Sequence, residues 1–492
     1  MAIGLPTLLP ASAQAVVQNT NTDTRPNVLF ILADDWGWGD LSCHGHPVLK
    51  TPNLDRFARE GTDFFQFNVN SPICSPSRAA FITGQFPGRF FIQHALDAKK
   101  SRRYPAPDWL DVNAVMLPRL FKEAGYATAH YGKWHLASAD APSAPPVTQY
   151  GYDDACIWSS RNGPQIVDLG EEYWPEEYRK TRGKGLPSVG IRSEMAVRKT
   201  MEFISKNKGQ PFFVNLHIRE GHAPFDPLPS YRAPYKEIPE PEQTYYASLG
   251  NADRFLGELF KFLDDNGLRT NTIVIFTSDN GPEVMVPNPK DDRFGSRGET
   301  GGFKGRKRSL FEGGVRVPFF IRWPGKVPAD YVNRNTLLTA VDMLPTLCAA
   351  AGISLPKGYV SDGENLLPAL EGKEILRTKP VFDSVLYTDI VNFKGIEIPW
   401  KATLDAKWQP HDWANLSIRD GAMKLVYEYA TGRTELYDLI KDPYEIKNIA
   451  EQYPEITADL LKRLKAWGDA LPRTPAPDCL DPAHENGDGE KQ

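Results

Sequence analysis

The sequence has little of what several functional classes require. Only five cysteines occur in 492 residues, and none forms a CxxC pair: Cys43, Cys74, Cys156, Cys348 and Cys479. This spacing gives no support for a structural zinc site or a dithiol redox site. The net charge of −5 argues against a general nucleic-acid-binding protein, which needs a basic field. No apolar run approaches the length of a bilayer-crossing helix, and no internal repeat is present.

Length and composition predict one large domain followed by a smaller one. The chain exceeds the size of one ordinary core, and 41% hydrophobic with 24% charged residues is typical of soluble globular proteins. Residues 1–24 look like the remnant of a secretory leader, which favours a periplasmic or secreted protein. The alternative is a disordered N-terminal segment that carries no targeting signal. We expect a catalytic domain over 25–385, a C-terminal subdomain over 386–472 and a loose polar tail over 473–492.

Short apolar runs that end abruptly in polar residues dominate the large domain. The runs are 28–33, 127–131, 212–216 and 272–277. Runs of this kind are typical of parallel strands buried on both faces. Helical patterns lie between them at 54–60, 116–124, 195–206 and 246–266. The alternation predicts an α/β fold with a large, mostly parallel sheet flanked by helices.

The pattern changes after about residue 385. Short strand-like segments with turn signals between them are followed by one helical pattern: 416–419, 423–429, 434–439 and then 456–470. Turns at Asp420-Gly421 and Thr431-Gly432 favour antiparallel pairing. The sequence therefore predicts a smaller α+β subdomain with an antiparallel sheet.

Polar residues that follow the buried strands are expected to meet. Open parallel sheets bind ligands beyond the carboxyl ends of their strands, and Asp34, Lys133, His222 and Asp279 all fall there. An adjacent acidic pair is by itself more often a turn or a helix cap than a metal site. Two polar pairs at the ends of two buried strands, 34–35 and 279–280, favour a metal site instead. Their hard oxygen donors suit Ca²⁺, or Mg²⁺ with added waters.

The segment from Cys74 to Gly84, CSPSRAAFITG, is the most specific motif in the chain. Pro76 suits the first turn of a helix and Gly84 its end, so Cys74 lies where backbone N–H groups favour an anion. The string resembles the signature of the type I sulfatases of the alkaline phosphatase superfamily, and it matches at every constrained position. The resemblance implies that a formylglycine-generating or anaerobic maturation enzyme oxidises Cys74 to formylglycine, whose hydrate is the nucleophile.

Three further segments resemble sulfatase motifs in the family's order. Residues 125–135, GYATAHYGKWH, resemble the second signature, with Tyr131 bulkier than expected but with Lys133 and His135 in register. His222 in GHAPF is similar to the third histidine of the family. Lys307 precedes by five residues the Glu-Gly-Gly-x-Arg-x-Pro string that begins at Glu312.

The resemblance implies a role for each matched residue. It implies that a calcium ion is bound by the modified residue 74 together with Asp34, Asp35, Asp279 and Asn280. Lys133 and Lys307 would hold the nonbridging sulfate oxygens, and His222, with Lys307, would protonate the leaving oxygen. His135 would act as the base that releases sulfate from the enzyme. Arg78 would orient the ionised hydroxyl of residue 74.

We expect the substrate to be a sulfated polysaccharide or oligosaccharide. Trp109 and Trp158 lie in regions that often border the sulfatase pocket, and the basic run 99–103 could contact a polyanionic glycan, although a solvated surface is its ordinary explanation. The rival enzyme is a phosphonate monoester or phosphodiester hydrolase, and the rival of another class is an inactive sulfated-glycan-binding protein. The sugar, its sulfate position and the oligomeric state are open at this point.

Overall fold

The computed structural model describes residues 25–97, 106–181, 188–283, 296–385 and 413–485. The strands in these ranges are β1 Asn27–Ala33, β2 Thr62–Phe64, β3 Phe67–Asn68, β4 Ala127–Lys133, β5 Asp154–Trp158, β6 Phe212–His217, β7 Thr272–Ser278, β8 Phe319–Arg322, β9 Tyr331–Asn333, β10 Leu338–Thr339, β11 Val381–Ser384, β12 Leu416–Asp420, β13 Met423–Tyr427 and β14 Thr434–Asp438. The α-helices are α1 Pro52–Arg59, α2 Cys74–Thr83, α3 Leu117–Glu123, α4 Glu176–Thr181, α5 Arg192–Asn207, α6 Pro229–Arg232, α7 Glu242–Asp265, α8 Glu312–Val315, α9 Met343–Ala350, α10 Leu367–Leu370, α11 Pro454–Ala470 and α12 Pro482–Glu485.

The large sheet has eight strands in the order β5-β4-β6-β1-β7-β8-β2-β9. The five from β5 to β7 run parallel, whereas β8 is antiparallel to both β7 and β2. The prediction of a large, mostly parallel sheet is therefore confirmed. Strand β9 at one edge of the sheet and its neighbour β2 have only three residues each, too few to form a recognisable pattern in the sequence.

Helices cover both faces of this sheet. Along β1, Val28, Phe30 and Leu32 belong to one apolar cluster, together with residues of α2 and α9. The alternate residues Leu29 and Ile31 belong to a second cluster, formed with α5 and α7 on the opposite face. All seven residues of β1 are buried, as expected for a central strand covered on both sides.

The four predicted strands and four predicted helices of the large domain are all present, with ends that differ by a few residues. Three strands extend into the polar residues that follow their apolar runs, so that Lys133, His217 and Ser278 are the last residues of β4, β6 and β7. Cys348 is buried within α9 and belongs to the apolar core.

The C-terminal unit contains an antiparallel sheet in the order β11-β12-β13-β14, against which α11 packs. The predicted antiparallel sheet is thus confirmed, but its first strand, Val381–Ser384, lies before the predicted boundary at 385/386. This four-residue strand has no turn signal beside it in the sequence. The division of the chain into domains stays a prediction.

The prediction of a loose tail from residue 473 is wrong for the part that the structure describes. Cys479 and Asp481 are buried, and backbone hydrogen bonds join this segment to Asp108: the Asp108 N–H donates to the Cys479 carbonyl at 2.7 Å. The Asp481 N–H donates to Asp108 Oδ2 at 2.7 Å, and the Ser143 N–H donates to Asp481 Oδ2 at 2.8 Å. Apart from the buried Cys479, hydrogen bonds rather than an apolar face hold this segment in place, so a hydrophobic pattern could not reveal it.

Several predictions fall on residues outside the described ranges. They are the leader over 1–24, the basic run 99–103, most of the segment between β11 and β12, and the last seven residues of the tail. Export to the periplasm or the medium therefore stays a prediction. Among the described residues, no helix has the length and apolar character of a membrane-spanning segment.

Candidate active site

Helix α2 begins at the predicted cysteine. Ile73 is extended, Cys74 starts the helix, and Gly84 ends it in the left-handed conformation (φ 63°), where its N–H donates to the Ala80 carbonyl at 3.0 Å. All ten residues of α2 are buried. Cys74 Sγ lies 3.8 Å from Asp34 Oδ1, so the helix start directly faces the carboxyl end of β1.

Strand register brings the two polar pairs together. Ala33 of β1 is opposite Ser278 of β7, and the Asp279 N–H donates to the Ala33 carbonyl at 3.0 Å. The residues that follow the two strands therefore leave the sheet side by side. Ligand atoms of four buried residues lie within 4.8 Å of one another: Asp34, Asp35, Cys74 and Asp279. Asn280 joins them through Nδ2, which lies 2.7 Å from Asp35 Oδ1.

This cluster fits a hard divalent cation. Asn280 Nδ2 donates to Asp35 Oδ1 and to the Gly281 carbonyl, whereas Asn280 Oδ1 is buried without a hydrogen-bond partner. A buried, unsatisfied oxygen costs about 1–3 kcal/mol, and a cation would remove that cost. Three carboxylates and an amide oxygen are ligands that Ca²⁺ and Mg²⁺ prefer.

Asp35 adopts a backbone conformation that side chains rarely take. Its φ is 62°, in the left-handed region, and its N–H donates to Asp279 Oδ1 at 3.2 Å. Such a conformation costs on the order of 1–3 kcal/mol and persists where the surroundings enforce it. The sharp turn after β1 allows consecutive residues, Asp34 and Asp35, to contribute carboxylates to one cluster.

Each carboxylate of the cluster contacts at least one buried cationic side chain, and Asp34 contacts both Lys133 and Arg78. Lys133 Nζ lies 2.8 Å from both carboxylate oxygens of Asp34, and Lys307 Nζ lies 2.7 and 2.8 Å from those of Asp35. Arg78 donates to Asp279 Oδ2 from Nε at 3.0 Å and from Nη2 at 2.6 Å. Charge pairing of this kind offsets the high cost of burying isolated charges.

The three carboxylates differ in the direction of their pKa shifts. Burial raises the pKa of Asp34, but Lys133, His222 and Arg78 outweigh that effect and hold the pKa well below its usual value. Burial raises the pKa of Asp35 and of Asp279 above the usual value, in spite of the nearby Lys307 and Arg78. Asp34 is therefore the most firmly ionised of the three.

Two half-buried histidines lie beside this cluster. Burial, together with the charge of Lys133, lowers the pKa of His135 to about 4, although Asp97, 3.6 Å from Nε2, opposes the shift. Burial also lowers the pKa of His222 to about 3, and Nδ1 lies 2.6 Å from the Ala223 carbonyl oxygen. Both imidazoles are neutral at pH 7 in this structure.

A cavity of about 270 Å³ opens next to these groups. Its walls are formed by Asp34, Leu96, Asp97, Lys133, His135, Ala139, Trp158, Ser159, Arg219 and His222. The predicted residues Lys133, His135 and His222 thus share one cavity with Asp34, the member of the acidic cluster that lines it. Trp158 lines it as expected, whereas Trp109 does not and instead pairs by a backbone bridge with Ala137, close to His135.

Sequence reasoning missed two polar groups of the cavity wall, Arg219 and Asp97, and assigned no role in the site to His217. Arg219 and Asp97 carry no motif, because single charged residues near strand ends ordinarily belong to the surface. His217 is buried, and its Nδ1 lies 2.9 Å from both the Lys133 carbonyl oxygen and Arg78 Nη1. It thereby links the end of β4 to Arg78.

The fold and the site together define an α/β protein with a cation-lined cavity and a hard-ligand cluster at the carboxyl edge of its parallel strands. The Sulfatase family model matches residues 26–353, about two thirds of the chain. The chain belongs to the sulfatase family, and it is a sulfuric ester hydrolase.

Named relatives agree with this assignment. The chain is 31% identical to the N-acetylgalactosamine-6-sulfatase of Canis lupus familiaris over 85% of this chain and 81% of the relative. It is 26% identical to the N-acetylgalactosamine-6-O-sulfatase of Bacteroides thetaiotaomicron over 94% and 97% of the two chains. The crystal structure of Ps i-CgsB in complex with k-i-k-neocarrahexaose has the same fold, with a TM-score of 0.72, 23% identity and coverage of 92% and 96%.

Proposed function

We propose that this sulfatase removes sulfate from a sulfated oligosaccharide, and that a 6-O-sulfated N-acetylgalactosamine residue is its substrate. The observation that carries the proposal is the shared cavity, whose wall contains Lys133, His135 and His222 together with Asp34. The sugar comes from the two relatives, both named for this substituent, which the chain matches over most of its length.

The proposal includes a calcium ion, with magnesium as the alternative, held by Asp34, Asp35, Asp279 and Asn280. The unpartnered Oδ1 of Asn280 supports this ligand set. When bound, the ion would polarise a sulfuryl oxygen and favour an ionised hydroxyl on residue 74. Lys133 and Lys307, which now contact Asp34 and Asp35, are within reach of anionic oxygens brought to the same place.

Conversion of Cys74 to formylglycine by a maturation enzyme is the second part of the proposal. Burial raises the pKa of the unmodified Cys74 thiol to about 12, although Lys133 and Lys307 oppose the shift. The thiol is then almost entirely protonated at pH 7 and a weak nucleophile. The aldehyde hydrate would supply a nucleophilic hydroxyl and a second hydroxyl whose deprotonation expels sulfate.

The two histidines receive different roles in this proposal. His135 is neutral and can accept a proton, with Asp97 stabilising the imidazolium that forms. His222 is neutral in this structure, so it acts as an acid only after an anionic substrate raises its pKa or with Lys307 as the proton donor. Arg78 already donates to Asp279 and to the Lys133 carbonyl, which orients both residues.

The test is sulfate release from defined sulfated oligosaccharides by the purified, matured chain, with Cys74→Ala as the inactive control. Peptide mass spectrometry should find a loss of roughly 18 Da at Cys74 on thiol-to-aldehyde conversion. Faster turnover of matched phosphonate or phosphate diesters would favour the rival hydrolase. Glycan binding without turnover by the modified protein would favour the rival binding protein.

A further inference from the structure

Arg219 lies on the wall of the catalytic cavity without an acidic partner. It is half-buried and shares the cavity with Lys133, His135 and His222. Lys133 and Lys307 contact Asp34 and Asp35, but within the described ranges no carboxylate oxygen lies within 4.0 Å of the Arg219 guanidinium. Among the described residues, the Arg219 charge is therefore not paired with a carboxylate as the charges of Lys133 and Lys307 are.

Neutral backbone groups hold the guanidinium in place. Arg219 Nη1 donates to the Pro224 carbonyl at 2.8 Å, and Nη2 donates to the Ala223 carbonyl. A guanidinium has five N–H donors, so three remain for other acceptors. The adjacent Glu220 is directed elsewhere, since its Oε2 accepts the Arg219 backbone N–H at 3.2 Å.

A tight turn fixes Arg219 relative to the reacting groups. The His222 N–H donates to the Arg219 carbonyl at 3.0 Å, and Gly221 between them has φ 109°. A Cβ on Gly221 would lie 2.3 Å from the Asp34 carbonyl oxygen, so this turn packs directly on the metal-ligand segment. Arg219 thus has a set position beside His222, the residue proposed to face the leaving oxygen.

We propose that Arg219 binds a second anionic group of the substrate, separate from the sulfate that is cleaved. This inference rests on the proposed function and specifies its substrate class. The second anionic group is an oxyanion with two or more oxygens, which a guanidinium binds through paired hydrogen bonds. Two groups of a substrate could supply it: a second sulfate on the same sugar, or the carboxylate of an adjoining uronic acid.

The experiment compares kcat/KM on three substrates that differ in the second group. They are N-acetylgalactosamine 6-sulfate, N-acetylgalactosamine 4,6-disulfate, and a disaccharide that joins a uronic acid to N-acetylgalactosamine 6-sulfate. The wild-type protein should prefer one doubly anionic substrate by about tenfold or more, because a hydrogen bond to a charged group contributes about 1.5–3 kcal/mol. Which of the two is preferred identifies the source of the second anion.

Arg219→Gln should reduce that preference to about threefold or less, and Arg219→Lys should retain part of it. Arg192→Gln is the matched control: Arg192 is half-buried and close enough to affect the pKa of Arg219, yet it does not line the cavity. It should keep the wild-type preference. Thermal unfolding of each variant checks that a change in preference does not come from misfolding.

Two results would overturn the inference while leaving the proposed function intact. One is a wild-type protein that cleaves all three substrates equally well. The other is an Arg219→Gln variant, folded like the wild type, that loses the same factor on each substrate, because Arg219 would then act on the scissile sulfate alone. A matured wild-type protein that cleaves none of the three would refute the proposed substrate, and the inference with it.

Discussion

At the scale of single residues, the acidic cluster and Cys74 have separable roles. Asp279→Ala removes a ligand and the carboxylate oxygen to which Arg78 donates two hydrogen bonds. We expect activity to fall by about a hundredfold or more, since a metal ion contributes several kcal/mol of charge stabilisation, and bound calcium to fall with it. Elemental analysis of the purified protein and sulfate release measure the two effects.

Cys74→Ala is the matched variant for that prediction. It should abolish turnover and keep most of the bound metal, because three carboxylates and Asn280 remain. Asp264→Ala, a partly exposed carboxylate on α7, should change neither quantity. Full metal content in an inactive Asp279→Ala protein would contradict the proposed ligand role.

The proposed role of His135 as the base predicts how kcat depends on pH. Burial lowers the pKa of His135 to about 4, and the charge of Asp97 opposes that shift. Removing the Asp97 charge should therefore lower the pKa of His135 further. Asp97→Asn should therefore shift the acid limb of the kcat–pH profile to lower pH. Asp140→Asn, which removes a carboxylate that accepts from Ser138 near the same cavity, should leave the limb in place. An unchanged limb in Asp97→Asn would mean that another group is the base.

At the scale of elements, the C-terminal end of α2 is tightly packed at Gly84. A Cβ on Gly84 would lie 2.7 Å from Tyr359 Oη and 2.9 Å from Leu344 Cβ, in addition to the strain of a positive φ. Gly84→Ala should cost about 2 kcal/mol or more of unfolding free energy. Urea denaturation measures the loss.

Gly125 provides the control for Gly84. It also has a positive φ, 84°, but a Cβ there would have only Arg25 Nη2 near it, at 4.0 Å. Gly125→Ala should therefore cost about 1 kcal/mol, from backbone strain alone. Equal losses in the two variants would show that packing at the end of α2 contributes nothing beyond strain.

The same elements show what the sequence could and could not reveal. Buried parallel strands have continuous apolar runs, so β1, β4, β6 and β7, and the polar residues after them, were predictable. The short strands β2 and β9 pair through backbone hydrogen bonds that leave no side-chain pattern. The segment around Asp481 docks through polar contacts and has no apolar period.

The residues of the site likewise fall into those that the sequence could identify and those that it could not. Motif order identified Cys74, Lys133 and Lys307, because each lies in a string with several constrained neighbours. Arg219 and Asp97 lie outside such strings, and their place on the cavity wall depends on how the loops after β6 and α2 fold back. Only the three-dimensional structure shows that Arg219 and Asp97 form part of the cavity wall.

At the scale of the whole molecule, metal binding should couple to stability in a pH-dependent way. Burial raises the pKa of Asp35 and Asp279, so the metal-free native state binds protons more tightly than the unfolded chain. The contribution of these two groups to stability is lost as pH rises through their raised pKa values. Calcium binds the ionised forms and should compensate for that loss.

We therefore expect calcium to raise the melting temperature more at pH 7 than at pH 4, which is close to the ordinary pKa of an aspartate. At a calcium concentration a hundredfold above Kd, the stabilisation is about 2.7 kcal/mol. Differential scanning calorimetry with and without calcium at both pH values measures the difference. A calcium effect that is equal at both pH values, or that persists in Asp35→Asn, would place the ion elsewhere.

The central claim is that one divalent ion joins side chains from the ends of β1 and β7 beside residue 74. Anomalous diffraction from crystals of the matured protein grown with calcium tests it most directly. The account predicts a single strong peak with oxygens of Asp34, Asp35, Asp279 and Asn280 at about 2.3–2.6 Å. A peak bound by other residues, with Asp35 or Asn280 out of coordinating reach, would contradict it.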